Sequence, residues 1–106
     1  MPADDGTAEA HARISTHILD TVTGAPATDV YVRLERRDAD GRLRYQVPLP
    51  EWQAGGYRLL FYVEPYLGRD AFFPEITVAF HVRDADRHYH VPLLLSRYGY
   101  TTYRGS

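Results

Sequence analysis

From Arg13 onward the chain alternates apolar and polar side chains with a period of two, and it does so in short runs separated by turn-forming residues. Ile14, Thr16 and Ile18 alternate with Ser15, His17 and Leu19, and Val30, Val32 and Leu34 alternate with Tyr31, Arg33 and Glu35. Successive side chains of a strand point to opposite faces, so this period is that of a strand with one face buried. Leu43, Tyr45 and Val47 repeat the pattern up to Pro48 and Pro50, which cannot continue a hydrogen-bonded ladder. Tyr57, Leu59, Phe61 and Val63 form the next apolar face, and Ile76, Val78, Phe80 and Val82 another. His88 to Leu95 and Tyr98 to Arg104 supply the last two strands. Thr23 to Pro26, Asp38 to Gly41, Ala54 to Gly56 and Arg83 to Arg87 read as turns. Residues 64 to 74 read as irregular or as one short helical turn. Seven short strands so punctuated predict an all-β sandwich with at most one short helix. Nine Tyr and four Phe against a single Met point the same way.

The 106 residues suffice for one domain. The expected layout is a disordered tail over residues 1 to 12 and a folded domain over 13 to 106. A domain this small buries a modest share of its surface, which favours oligomerisation. In the last strand, Tyr98, Tyr100 and Thr102 face one way and Gly99, Thr101 and Tyr103 the other. Neither face is strongly polar, as expected of an edge that pairs with another subunit. The net charge of -2 and the lack of a basic stripe argue against a nucleic-acid partner. No apolar run approaches the roughly 20 residues that span a bilayer, so no membrane partner is expected. The small, acidic start is unlike a secretory signal. The absence of cysteine removes disulfides, thiolate zinc sites and a Cys nucleophile, and suits a reducing compartment. A cytoplasmic protein is the resulting expectation.

Few residues offer chemistry. His17 lies in the first strand, where an isolated histidine is usually a packed or surface residue. His88 and His90 are two apart and therefore share one strand face. Such a pair could hold a metal only with a third ligand, for which His17 and His81 are the candidates. The expected site is metal-free and needs no cofactor. Arg42 follows the Asp40-Gly41 turn, a position that usually starts a solvated strand.

Longer segments carry more information. Ser15-Thr16-His17-Ile18-Leu19-Asp20-Thr21, Asp40-Gly41-Arg42, Phe72-Phe73-Pro74-Glu75-Ile76, His88-Tyr89-His90-Val91-Pro92-Leu93-Leu94-Leu95-Ser96 and Tyr103-Arg104-Gly105-Ser106 stand in this order. Together they resemble the 5-hydroxyisourate hydrolases of the transthyretin-like family over about residues 13 to 106. The resemblance implies a transthyretin-like β-sandwich, assembly as a homotetramer with sites at the subunit interface, and metal-free hydrolysis of 5-hydroxyisourate in urate degradation. It implies that His17, Arg42, His90 and Ser106 are catalytic and that Tyr103, Arg104 and Gly105 bind substrate. The residue types suit that reaction. An imidazole can take a proton from water near neutral pH, and a guanidinium can grip the oxygens of a planar substrate.

One segment departs from the family pattern. Val32 to Arg37 runs almost directly into Asp38 to Arg42, where the family has a further strand, usually with a Trp. Roughly ten residues are missing, about one strand with its turn. The expected fold therefore has one sheet shortened at its edge, and the path that carries Arg42 changes most. The alternative function is a transthyretin-like module, impaired or inactive as a catalyst, that binds a small ligand or a partner.

Overall fold

The computed structural model describes residues 14–37 and 52–105 together with the backbone of 43–45. The expected tail over 1 to 12, the Asp38 to Gly41 turn, Arg42, the two proline stops and Ser106 lie outside the described residues. The described strands are β1 (Ile14–Ser15), β2 (Ile18–Asp20), β3 (Ala25–Pro26), β4 (Tyr31–Arg37), β5 (Leu43–Tyr45), β6 (Gly55–Tyr62), β7 (Glu75–Val82), β8 (Tyr89–His90), β9 (Leu93–Leu95) and β10 (Tyr100–Thr102). One helical turn, α1 (Glu64–Leu67), follows β6. The strands form one sheet in the order β10-β9-β2-β3, a second in the order β5-β4-β6-β7, and a two-stranded pair β1-β8. This is the all-β sandwich that the alternation predicts.

Alternation is what closes the sandwich. Ile18, Leu93 and Leu95 from the first sheet and Leu59, Phe61 and Ile76 from the second are buried in one apolar cluster, which Ile14, Val63 and Val91 complete. Burying a side chain of this kind contributes about 1.5–3 kcal/mol, so a register slip that turned any of these strands over would cost several such terms. At the end of β4, Glu35, Arg36 and Arg37 pair with Tyr45, Arg44 and Leu43 of β5.

Two strands that read as continuous in the sequence are broken. The run beginning at Ile14 divides at His17 into β1 and β2, and the run from His88 divides at Val91 and Pro92 into β8 and β9. At the break the Val91 carbonyl receives no backbone N–H from the described residues between β1 and β2. The Val91 N–H donates to the Ser15 carbonyl (2.9 Å) and the Leu93 N–H to the His17 carbonyl (2.8 Å), two residues apart as in any parallel ladder. Hydroxyls fill the gap: Thr16 donates to the Val91 carbonyl (2.6 Å) and Thr102 to the Pro92 carbonyl (2.7 Å). The last strand is also shorter than its sequence pattern. The Ser96 N–H and hydroxyl both donate to the Gly99 carbonyl, which makes the segment before Tyr100 a tight turn.

Asp20 ties the two layers. It ends β2 in the first sheet, and its Oδ2 accepts from the hydroxyl of Tyr66 in α1 at 2.6 Å. Its Oδ1 accepts from the Val22 and Thr23 N–H groups at 2.8 and 3.2 Å. The Tyr66 hydroxyl above all, then the Thr23 N–H, hold the carboxyl below its ordinary 3.8, with the Val22 N–H assisting and burial opposing. A carboxyl lowered in this way stabilises the fold fully above its unfolded value and ceases to do so as pH falls through its folded value. Tyr66→Phe should therefore lower the melting temperature at neutral pH, and the gap to the parent should narrow below pH 3.8. A gap of constant size across that range, read by circular dichroism, would count against the charged hydrogen bond.

Candidate active site

The site grows out of the parallel pairing of β1 with β8, in which Ile14 lies opposite Tyr89 and Ser15 opposite His90. Ile14 and Tyr89 turn inward and are buried. Ser15 faces the other way with the two histidines. Its Oγ lies 2.8 Å from His90 Nδ1 and 2.9 Å from His88 Nε2, so one hydroxyl holds both rings. The shared face expected for His88 and His90 is thus present, and Ser15 is the residue that faces them. Ser15 is 5% exposed, His90 half-buried and His88 exposed.

The residues after β10 close the opposite side of His90. The Gly105 N–H donates to the His90 carbonyl at 2.7 Å, and the two residues form an isolated antiparallel bridge. A Cβ on Gly105 would stand 2.5 Å from His90 Cδ2 and 3.2 Å from Cγ. Only glycine lets the backbone lie this close to the imidazole. Arg104, one residue earlier, sets its guanidinium over the Tyr89 ring, 4.6 Å from the centroid. Tyr103 is exposed.

Tyr89 anchors the strand from beneath. Its hydroxyl accepts from the Arg83 and Asp84 N–H groups and donates to the Asp84 carbonyl. Its ring packs in a small cluster with Tyr57 and Val82, and Trp52 packs against that cluster while its indole N–H donates to the Ala85 carbonyl. The turn leading to His88 is therefore fixed at both ends. A cavity of about 470 Å³, lined by Arg87, His88, Arg104 and Gly105, opens beside the histidines. A second cavity, lined by Arg37, Arg58 and His81 among others, lies on the other sheet and contains none of the expected site residues.

His17 stands at the break between β1 and β2, half-buried, and its ring makes no hydrogen bond to a described residue. Its backbone bond to Leu93 places it two residues beyond Ser15, along the strand that neighbours β8 and β9. His17, His90, Arg104 and Gly105 thus lie along the line of β1–β2 and β8–β9 and the segment after β10, whereas Arg42 and Ser106 lie outside the described residues. Among the described residues no three His, Cys, Asp or Glu side chains are grouped to hold a metal.

A model of the HIUase/Transthyretin family matches residues 14–105. The chain belongs to this family. It is 45% identical over 109 residues to the 5-hydroxyisourate hydrolase of Salmonella typhimurium, a match covering 88% of this chain and 80% of that one. The mouse 5-hydroxyisourate hydrolase is 36% identical over 111 residues, covering 88% and 94%. Among solved structures, the Klebsiella pneumoniae 5-hydroxyisourate hydrolase is 36% identical with a TM-score of 0.66, covering 88% of this chain and 98% of that one. Sea bream transthyretin, solved in complex with thyroxine, is 28% identical with a TM-score of 0.79, covering 88% and 94%. Hydrolases and a thyroxine-binding protein thus share this sandwich, and the side chains on it must decide between them.

Two members of this cluster escape a reading of the sequence. Ser15 sits in the segment that resembles the family, yet nothing local marks it as a partner of residues more than seventy positions away. His88 reads as a bystander of His90. Gly105 offers a direct test of the packing. Gly105→Ala should cost about 1–3 kcal/mol of stability in urea unfolding, the usual penalty of forcing an atom into a filled site, or else release the closing segment from His90. Gly99→Ala, where a Cβ would meet Ser96 Oγ at an ordinary 3.7 Å, is the control. Equal stability and equal amide-exchange protection at residue 105 in both variants would contradict the close approach.

Proposed function

We propose that this chain hydrolyses 5-hydroxyisourate to the ureidoimidazoline carboxylate in urate degradation, by histidine-assisted attack of water. The observation that carries this reading is the fixed imidazole of His90. Its Nδ1 is held by Ser15 and its ring is bounded by Gly105, while its Nε2 has no partner among the described residues. A histidine oriented through one nitrogen and open at the other is equipped to move a proton at the open one. The identity to 5-hydroxyisourate hydrolases over most of the chain supports the choice of substrate.

In this reading His90 and His17 act as the proton-transfer pair. Arg42 grips the oxygens of the substrate and stabilises charge as water adds. Ser106 orients the water or a ring nitrogen. Tyr103, Arg104 and Gly105 line the substrate cleft, with Arg87 and Arg104 supplying positive charge beside His88. The assembly is a homotetramer with sites at the subunit interface. The exposed aromatics Tyr98, Tyr100 and Tyr103 along and around β10 favour burial against another copy. The lack of cysteine suits work in the cytoplasm.

His17→Asn and His90→Asn should each lower kcat/KM on freshly generated 5-hydroxyisourate by about 10²- to 10⁴-fold, the range of general acid–base catalysis. Arg42→Ala should cost about 3–4 kcal/mol of transition-state stabilisation if the shortened connection delivers the guanidinium to the cleft. Turnover unchanged in both histidine variants would leave the ligand-binding or interaction module. Sedimentation at micromolar concentration should give the mass of four chains; a clean monomer would remove the interfacial site.

A further inference from the structure

We propose that Ser15 joins His90 to His88 in a proton relay, in which the half-buried His90 works on the substrate and the exposed His88 stores the proton. The inference rests on the hydrolase reading for its chemistry and on the geometry of three side chains for its path. One buried hydroxyl lies within hydrogen-bond distance of His90 Nδ1 and of His88 Nε2 at once. A hydroxyl has a single O–H to donate and two lone pairs to accept with. When both rings are neutral and the buried Ser15 O–H is itself bonded to one of them, Ser15 donates to that ring and receives an N–H from the other. The tautomers of the two rings are then tied to each other through the hydroxyl.

The consequence at His90 is direct. With Ser15 donating to His88 Nε2, His90 carries its proton on Nδ1 and presents a bare Nε2, which is a base. As Nε2 takes a proton from the attacking water, the Nδ1 proton passes to Ser15 Oγ and the Ser15 proton passes to His88 Nε2. His90 returns to neutral with its proton on Nε2, Ser15 is again a hydroxyl, and His88, already protonated on Nδ1, becomes the imidazolium. In reverse, His90 Nε2 gives its proton to the leaving nitrogen. Ser15 then returns a proton to His90 Nδ1 and takes one back from His88, and every group is restored. No proton is gained or lost over the cycle, and no bond other than O–H and N–H changes within the relay.

The relay ends at the ring that meets water: His90 is half-buried and His88 is exposed. The charged groups near His88 are Arg87 and Arg104, which line the same cavity, and Asp84, 3.7 Å from Arg87. The two arginines oppose a third charge. Asp84 offsets Arg87, and Arg104 is drawn to the face of Tyr89. His17, at the break between β1 and β2, has no described link to the relay. A purely structural Ser15, one that only holds the rings in place, would predict independent effects of removing Ser15 and His88.

Kinetics and spectra of the full chain separate the two cases. Ser15→Ala and His88→Asn should each slow kcat about tenfold or more with KM within about twofold, and the double variant should be no slower than the slower single one. Ser15→Thr, which keeps the hydroxyl, should recover the rate. Effects that multiply, or a His88→Asn variant as fast as the parent, overturn the relay; because His88 is exposed, that variant tests it even where Ser15→Ala fails to fold. In ¹⁵N-histidine spectra the tautomers of His88 and His90 should change together on titration and separately in Ser15→Ala. Spectra that Ser15→Ala leaves unchanged overturn the relay whether or not the protein turns over. A parent without turnover defeats the hydrolase reading instead, and the spectra alone then decide the relay.

Discussion

The parallel pairing of β1 with β8 is the constraint on which the site depends. Parallel neighbours cannot be joined by a hairpin, so the chain must build the second sheet before it returns to lie beside its own first strand. That crossover sets Ser15 against His90 across seventy-five positions of sequence. Beyond this pair the strands divide at His17 on one side and at Val91 and Pro92 on the other. The Thr16 and Thr102 hydroxyls satisfy the Val91 and Pro92 carbonyls at the break, so no buried acceptor is left open there. His17 stands at this interruption, free of the ladder on its side-chain face.

Everything around the pairing serves to hold it. The core cluster of Ile14, Val91, Leu93 and their partners from the second sheet fixes the register, because a slip by one residue would exchange Ser15 for Ile14 on the site face. Tyr89 repeats the logic on β8. Its ring is buried beneath the site, its hydroxyl gathers the turn over residues 83 and 84, and its face receives Arg104. Gly105 then lies on the imidazole of His90 as no other residue could. Stability and function are coupled here, since the inward residues of β1 and β8 keep the outward ones in place.

The shortened connection between β4 and β5 bears on a different part of the molecule. Among the described residues, β5 pairs with the last three residues of β4. The buried face of this sheet comes from β4, β6 and β7, whose pairing runs along Tyr31 to Arg36 and Gly55 to Tyr62. An edge strand contributes less to the core than the strands it borders. The pairing of β1 with β8 lies in the other layer and does not involve that edge.

The sequence by itself determined the class of fold, because short runs with a period of two and one apolar face, separated by turns and without long helices, must bury that face sheet against sheet. It also determined that His88 and His90 share a face, that residues 64 to 74 hold no more than a helical turn, and, through its resemblance to a known family, which histidines to watch. The division of the first strand at His17 was not legible there, because it turns on hydrogen bonds to a strand that arrives only after the crossover. Neither was the role of Ser15, whose hydroxyl is ordinary until two imidazoles meet it, nor the need for glycine at 105, which follows from the nearness of His90. Alternation, turns and caps are local and can be read along the chain. Which side chains share a hydrogen bond across sheets and crossovers is a matter of long-range register, and only the tertiary structure decided it.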